Sequence, residues 1–307
     1  MVTRAASHKR LAGKAGRRFD SLMAFVQKHE LSFLPSPGDL ILAASAGRAL
    51  FAGEACAPVL PACSVLEVTE GEGLFFVGEL DGARVWLAPL PSAAPEGCRI
   101  LEVKPLIPLL PQPLVFAVFA GLCLSFWRER HRFCGVCGAR TAIDASERAM
   151  RCPACGTLFY PTPSPAVIVA VEKAGRLLLA HNRNFPPRRF SAIAGFVDPG
   201  ETLENAVRRE LREEVGIEVV RIRYVGSQGW PFPNSLMAAF RAEWESGELV
   251  PDGAEIVEAG WFAPEALPDI PAKGTVSREL IDSWLADRLA LASLHDTAPA
   301  DRVLPGA

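Results

Sequence analysis

The side chains best suited to chemistry lie in one stretch, where Glu210, Glu213 and Glu214 are spaced as i, i+3 and i+4. In a helix this spacing brings the three carboxylates to one face. Clustered carboxylates repel one another unless cations lie among them, and hard oxygen ligands favour Mg2+ or Mn2+. The stretch therefore predicts a site for divalent cations, with Arg209 tying the outlying Glu201 to it.

The residues around this cluster predict the helix that must position it. Thr202 is a suitable N-cap for a helix that begins at Leu203, and Pro199-Gly200 makes the turn before it. Gly216 suits the left-handed position just past the helix end. An apolar stripe on another face, which would dock the helix on a sheet, consists of Ala206, Val207, Leu211 and Val215.

The spacing of the whole stretch is G-x5-E-x7-R-E-L-x-E-E-x-G-I, and it resembles the Nudix box of hydrolases that cleave a nucleoside diphosphate linked to another group. The nine matching positions are Gly195, Glu201, Arg209, Glu210, Leu211, Glu213, Glu214, Gly216 and Ile217. The alternative is a solvated acidic helix face, which a match at every position disfavours. The resemblance implies an α/β/α sandwich with a mixed sheet.

A second chemical feature is a pair of cysteine knuckles upstream. Cys134 and Cys137 are followed, after 14 residues, by Cys152 and Cys155. Four thiolates at this spacing are typical of a tetrahedral structural zinc site with no vacant position for catalysis. A redox dithiol and a site that has lost its metal are the alternatives. The scattered cysteines Cys56, Cys63, Cys98 and Cys123 are interpreted as small buried hydrophobes.

Composition sets the class of protein. The chain has 307 residues, 50% of them apolar and 22% charged, with a net charge of −3, which is typical of a globular protein of about two domains. This charge gives no general attraction to nucleic acid or membrane. The uncharged run 105–127 is broken by prolines, so a buried helix over Leu114 to Arg130 is predicted instead of a membrane span. A cytoplasmic location is predicted.

The patterns along the chain predict its domain organisation. Strands are predicted at 74–80 and 84–88, joined by an Asp81-Gly82 hairpin turn. Downstream strands are predicted at 166–172, 176–180, 191–196, 218–225, 236–244 and 259–262, and a last helix at 276–294. The fold class is therefore α/β. The predicted units are a basic tail with a short helix (1–30), a β-rich α+β domain ending in a helix (31–130), a zinc ribbon (131–160), a Nudix domain (161–295) and a disordered tail (296–307).

The stretch Ser227-Gln-Gly-Trp-Pro-Phe-Pro-Asn-Ser235 narrows the family. It resembles the S-Q-P-W-P-F-P-x-S sequence of NADH pyrophosphatases, and Gly229 departs from the usual proline there. Trp230 and Phe232 between prolines would form a rigid aromatic shelf for a planar base or nicotinamide. The order of zinc ribbon, Nudix box and aromatic-proline stretch is similar to that of the NADH pyrophosphatase family, whose bacterial members also remove NAD caps from RNA.

This resemblance implies roles for particular residues. Cys134, Cys137, Cys152 and Cys155 would hold zinc, and Glu210 and Glu214 would hold the catalytic Mg2+ or Mn2+ together with Glu255. Glu258 is the competitor for the third place. The dinucleotide would be held by Tyr160, Phe196, Gln228, Gly229, Trp230, Pro231, Phe232, Pro233, Asn234 and Ser235, with Glu147, Ala194 and Ser277 as further contacts. Glu201 and Arg209 are expected to brace the site.

The function that follows is metal-assisted hydrolysis of the pyrophosphate of NADH or NAD+, with Glu213 or Glu214 positioning or deprotonating the water. The expected products are nicotinamide mononucleotide and AMP, and NAD-capped RNA would lose its cap at the same bond. One alternative is a Nudix hydrolase of another nucleoside diphosphate such as ADP-ribose. The other is a zinc-ribbon RNA-binding protein with a sensor Nudix domain. The family resemblance also implies a homodimer.

Overall fold

The computed structural model describes residues 25–28, 34–54, 56–66 and 74–296. The predicted basic tail up to residue 24 and the predicted disordered tail from 297 lie outside these residues. The short helix predicted for the first 30 residues is wrong where it can be seen, because Phe25–Gln27 is a strand, β1. Phe25 is buried and pairs with Leu80, so a sheet edge takes up this segment.

The N-terminal region is a mixed sheet of six strands. Asp81 and Gly82 both have positive φ, at 51° and 83°, as a two-residue hairpin turn of right-handed twist requires. The predicted hairpin is therefore confirmed. After β1 the strands are β2 (Leu40–Ser45), β3 (Arg48–Ala52), β4 (Phe75–Leu80), β5 (Ala83–Ala88) and β6 (Cys98–Glu102), in the spatial order β1-β4-β5-β2-β3-β6.

The predicted helix closes this sheet. Helix α1 spans Gln112–Arg130 and begins two residues before the prediction, because Pro113 is accommodated in its first turn. A Cβ at Gly121 would lie 1.9 Å from a Leu42 methyl carbon, so the glycine lets the helix approach β2 closely. No helix among the described residues is long and apolar enough to cross a membrane.

The cysteine knuckles lie on a small three-stranded sheet. Its strands are β7 (Ala142–Ile143), β8 (Met150–Arg151) and β9 (Leu158–Phe159). Each strand has only two residues, and the buried side chains here are few. This segment has too little apolar surface for a core of its own, so a metal centre is the expected source of its stability.

The third sheet is mixed, as predicted. Its strands run β13-β14-β10-β11-β15, with β12 paired to β10. Only β10 and β14 are parallel, and the other pairings are antiparallel. The bounds are β10 (Ser164–Lys173), β11 (Arg176–Asn182), β12 (Ile193–Phe196), β13 (Glu218–Trp230), β14 (Ser235–Ser246) and β15 (Ile256–Phe262).

Two helices cover opposite faces of this sheet. In β10, Val167, Val169 and Val171 face the core of helix α2 (Leu203–Val215), whereas Ile168 and Ala170 face helix α3 (Val276–Asp296). Successive side chains of a strand point to opposite faces, so a continuous apolar run is buried on both sides. The α/β/α sandwich predicted from the resemblance is confirmed.

One boundary differs in a way that matters for the site. The strand predicted to end at Val225 continues to Trp230, so that Gln228, Gly229 and Trp230 lie in β13. Pairing with β14 extends to Trp230 opposite Ser235. The aromatic-proline stretch is thus the tip of a long hairpin, and its loop is confined to 231–234.

Candidate functional site

Helix α2 presents the acidic cluster. Thr202 caps it by accepting a hydrogen bond from the Asn205 backbone N–H at 3.2 Å, and Gly216 ends it with φ of 74°. The apolar stripe beneath is fully buried, which fixes the rotation of the helix about its axis. Glu210 is thereby turned toward the strand end that carries Gly195, and Glu214 follows one turn further along α2.

Glu214 is the least expected side chain in the core. It is 6% exposed, and its Oε2 has no hydrogen-bond partner among the described residues. Burial, followed by the charges of Glu255 and Glu210, raises the pKa of Glu214 to about 8. A buried, unsatisfied carboxylate oxygen is costly unless it is neutralised, so these oxygens fit a divalent cation.

Glu210 lies beside Glu214 and depends on a glycine. A Cβ at Gly195 would lie 1.9 Å from the Glu210 carboxyl carbon and within 2.4 Å of both carboxylate oxygens. Gly195 has no left-handed φ, so the glycine leaves space for the Glu210 carboxylate rather than supplying backbone freedom. Burial raises the pKa of Glu210, and a 2.9 Å hydrogen bond from Arg209 opposes this effect.

The third acid comes from a loop before β15. The charge of Glu255 is among the causes that raise the pKa of both Glu214 and Glu210. Glu258 lies within β15, paired with His181. The charge of Glu255 therefore reaches the cluster, and its place as the third metal ligand stays a prediction.

Arg209 braces the acids, as predicted from its position. Its guanidinium donates two hydrogen bonds to Glu201, at 3.0 and 2.8 Å, in the bidentate geometry that arginine favours. It also donates to Glu213 at 3.2 Å and to the Phe196 carbonyl at 2.8 Å. The Glu213 side chain is 61% exposed, so it lies at the solvent edge of the cluster.

The four knuckle cysteines converge on one point. Their sulfur atoms all lie within 4.8 Å of one another, and the Cys134–Cys155 and Cys137–Cys152 pairs are 3.6 and 3.5 Å apart. Sulfurs around a tetrahedral zinc at about 2.3 Å are separated by roughly 3.8 Å, whereas a disulfide needs about 2 Å. Positive φ at the glycine after each knuckle turns the chain around the centre. The donors therefore fit Zn2+.

Comparison with known proteins agrees with both centres. Residues 129–160 match the NADH pyrophosphatase zinc ribbon domain and residues 161–284 match the NUDIX domain. The NAD-capped RNA hydrolase NudC of Stutzerimonas stutzeri is 44% identical over 219 residues, which cover 69% of this chain and 78% of that protein. The chain belongs to the NudC family of Nudix hydrolases.

Two more NudC relatives show how far the likeness extends. The NAD-capped RNA hydrolase NudC of Pseudomonas aeruginosa is 47% identical over 183 residues, 60% of this chain but only 63% of that protein. The match thus spans less than two thirds of that relative. The NAD-capped RNA hydrolase NudC of Deinococcus radiodurans is 39% identical over 220 residues, 70% of this chain and 79% of the relative.

The aromatic residues of the NudC-family stretch are not an open shelf within one chain. Trp230 and Phe232 are partly buried against the N-terminal core. Phe119 of α1 makes edge contacts with both rings, at centroid distances of 5.8 and 6.0 Å. Lys104 lies 5.9 Å from the centre of the Phe232 ring. The hairpin tip is therefore seated on α1 instead of standing free in solvent.

The polar groups of this stretch also have internal partners. The Gln228 amide donates to the Gly274 carbonyl at 2.9 Å and accepts from the Val276 N–H at 2.9 Å, which satisfies the start of α3. Asn234 donates to the Thr162 carbonyl at 3.1 Å. Ser235 is buried and pairs with Trp230. These contacts position the hairpin. In its loop, Pro231 and Pro233 lie on either side of Phe232 in the sequence.

The remaining residues expected near a dinucleotide divide into exposed and buried ones. Tyr160 and Phe196 are 48% and 56% exposed, and Phe196 ends β12 next to the glutamate cluster. Ala194 is half-buried in β12. Glu147 is exposed in the ribbon, where its N–H donates to Asp144. Ser277 is buried, with its hydroxyl 2.7 Å from that of Ser191.

Two residues at the cluster escaped the sequence patterns. Asp252 accepts backbone hydrogen bonds from the loop that carries Glu255, and Asn182 donates to the Glu255 carboxylate. Asp252-Gly253 is a turn signal, which could have indicated a structured loop. Asn182 ends β11 at a register shift, and no local sequence signal marks it.

Proposed function

We propose that this chain hydrolyses the pyrophosphate bond of NADH and NAD+, releasing nicotinamide mononucleotide and AMP, and that it removes NAD caps from RNA 5′ ends. The observation that carries the proposal is the buried Glu214, whose unpartnered oxygen lies with Glu210 and Glu255 in a chain of the NudC family. The relatives' printed name, NAD-capped RNA hydrolase, supports the substrate class.

The catalytic acids divide into ligands and a water-handling group. Mg2+ or Mn2+ ions held by Glu210, Glu214 and Glu255 would neutralise pyrophosphate charge and lower the pKa of a water. Glu213 lies at the exposed edge of the cluster and is oriented by Arg209, so it is placed to accept a proton from a water that enters from solvent. Glu214 is the alternative for this role.

Arg209 stabilises this arrangement through charge. Its hydrogen bonds to Glu201 and Glu210 raise the Arg209 pKa above its usual range, so it stays cationic throughout. The guanidinium offsets repulsion among the acids before any substrate arrives. Glu201 and Arg209 are therefore proposed as braces, not as groups that touch the reacting phosphorus.

The dinucleotide is proposed to lie between the cluster and the exposed rings. Tyr160 and Phe196 expose planar faces that suit a base or nicotinamide. Ala194 lies two residues before Phe196 in the same strand and would contact substrate through its backbone. The hairpin 228–235 is proposed to shape the pocket wall from its seat on α1. Glu147 and Ser277 remain proposals as further contacts.

A homodimer and a cytoplasmic location complete the proposal. Helix α1 leaves Phe116, Ala120 and Cys123 half-exposed along a groove of about 300 Å3. Pro161 and Leu236 form the opposite wall of the groove. This apolar surface supports a second copy as the partner. Four thiolates that hold zinc fit the reducing cytoplasm, where NADH and RNA are found.

Product analysis tests the proposal. Zinc-loaded protein is incubated with Mn2+ or Mg2+ and, in parallel, NADH, NAD+, ADP-ribose and NAD-capped RNA. AMP and reduced nicotinamide mononucleotide from NADH, with little turnover of ADP-ribose, is the expected result. Rapid turnover of ADP-ribose alone would favour a Nudix hydrolase of another substrate. Binding of NAD-capped RNA without any turnover would favour the sensor protein.

A further inference from the structure

Glu255 differs from the proposed metal ligands on α2 in how its side chain is held in place. It lies on an exposed loop outside every helix and strand, whereas Glu210 and Glu214 are held by a buried helix. Fixing a free glutamate side chain costs rotamer entropy. If Glu255 is a third ligand, other groups must hold it in place before a cation binds.

The backbone of this loop is held by Asp252. Its carboxylate accepts hydrogen bonds from the N–H groups of Ala254 at 3.2 Å, Glu255 at 3.1 Å and Ile256 at 2.8 Å. Its own N–H donates to the Glu214 carbonyl at 2.9 Å. The loop is therefore fastened to the last turn of α2, so that the two parts of the site move together.

The side chain of Glu255 is held by Asn182. The Asn182 Nδ2 donates to Glu255 Oε1 at 2.9 Å, while its Oδ1 accepts from the Asn184 N–H at 2.9 Å. The second bond fixes which way the amide faces, because only oxygen can accept there. Arg183 adds a backbone bond, from its N–H to the Glu255 carbonyl at 3.0 Å.

We propose that Asn182 and Asp252 are positioning residues that present Glu255 as a metal ligand. This inference rests on the proposed function, because it assigns Glu255 to the catalytic cation. Asn182 occupies one carboxylate oxygen of Glu255 and leaves the other for the cation. Asp252 sets the distance of the loop from Glu214. Outer groups that orient a ligand typically change metal affinity by 10- to 100-fold.

The test measures Mn2+ binding directly, without substrate. Mn2+ is titrated into zinc-loaded protein, and free Mn2+ is followed by electron paramagnetic resonance. Asn182→Ala is expected to raise the Mn2+ dissociation constant about tenfold. Asp252→Ala is expected to do the same, and Asp252→Asn to restore most of the affinity, because an amide oxygen still accepts the backbone bonds. Asn184→Ala, just beyond the end of β11, keeps the backbone N–H that Asn182 accepts from and is the matched control.

The melting temperature of each variant without added Mn2+ separates positioning from folding. Unchanged melting with weaker Mn2+ binding is the expected result for Asn182→Ala. Wild-type Mn2+ affinity in that variant would overturn the inference, as would weaker binding that matches a fall in melting temperature. The proposed function itself fails if the wild-type chain binds no Mn2+, or if Glu214→Gln binds Mn2+ as tightly as the wild-type chain does.

Discussion

The zinc ribbon and the proposed acidic metal centre of this chain are built in opposite ways. The zinc ligands are Cys134, Cys137, Cys152 and Cys155, all from one short segment, and their sulfurs already lie within 4.8 Å of one another. The acidic centre joins a helix to a loop 45 positions further along, and each carboxylate depends on the fold around it. Metal binding is expected to create the local structure of the ribbon. The acidic cluster is a centre that an existing structure must support.

The difference appears in the energetics of the apo state. The knuckles have little apolar surface to lose, so the free energy of metal binding supplies much of the folding free energy there. Around Glu214 the core is complete without metal, and burial of the acid opposes folding. Zinc therefore holds its segment together, whereas a divalent cation at the glutamates relieves a cost that the fold already bears.

Removing zinc is the change with the largest expected effect. Structural zinc sites contribute on the order of 10 kcal/mol to the fold of small domains. Cys152→Ser is therefore expected to unfold the segment 131–160 while the Nudix sheet persists. Limited proteolysis with mass spectrometry measures this, with the exposed Cys56→Ser as control. Full protection of the ribbon in Cys152→Ser would show that the segment needs no metal.

Neutralising Glu214 is the change with the next largest expected effect. Glu214→Gln removes a ligand and a charged group, and turnover of NADH is expected to fall about 1,000-fold, or about 4 kcal/mol. Above about pH 8, where Glu214 is ionised, the same change removes a buried charge, so the metal-free melting temperature should rise there. Steady-state kinetics measures the fall in turnover, and thermal unfolding measures the change in melting temperature. Near-wild-type turnover would exclude Glu214 from the catalytic centre.

The pH dependence of stability sharpens the contrast. The folded-state pKa of Glu214 is raised from 4.5 to about 8, so its contribution is complete below pH 4.5 and is lost as the pH rises to about 8. Zinc-loaded protein without other divalent ions should lose about 3 kcal/mol of unfolding free energy between pH 5 and pH 8. Urea unfolding measures this. Glu214→Gln should flatten the profile, and an equal slope in that variant would contradict the assignment.

The smallest effect is expected at Gly195. Gly195→Ala places a methyl group where the Glu210 carboxylate lies, and a flexible side-chain end can move aside. Melting should therefore change little, while turnover falls about tenfold, equivalent to about 1.4 kcal/mol. Gly38→Ala, where an added Cβ meets nothing within 4 Å, is the control. An unchanged rate in Gly195→Ala would mean that the exact position of Glu210 is unimportant.

Local sequence patterns predicted what local physics determines. The cap at Thr202, the left-handed Gly216, the Asp81-Gly82 hairpin and the cysteine knuckles each rest on a few neighbouring residues, and the structure has all of them. The strand predicted at 166–172, which lies within β10, was predicted for the same reason. The family resemblance supplied the sheet topology, which periodicity alone does not determine.

Contacts between distant segments were not predictable in this way. No pattern near Asn182 indicates that its amide meets Glu255, which lies 73 positions later. The end of β13 was missed because Gly229 and the prolines were read as a loop, whereas pairing with β14 continues through Trp230. The short helix near residue 25 was wrong because an exposed edge of the N-terminal sheet takes up that segment as a strand.

The seat of the hairpin tip on α1 limits how this chain can be cut or recombined. Phe119 contacts Trp230 and Phe232 from a segment that precedes the zinc ribbon, so the part of the chain before the ribbon and the part after the Nudix helix share one apolar interface. A Nudix unit excised after residue 130 would bring both rings into water, at a cost of roughly 1.5 to 3 kcal/mol for each side chain fully uncovered. We therefore expect exchange of the N-terminal region between relatives to preserve stability only when the hairpin that contacts α1 is exchanged with it.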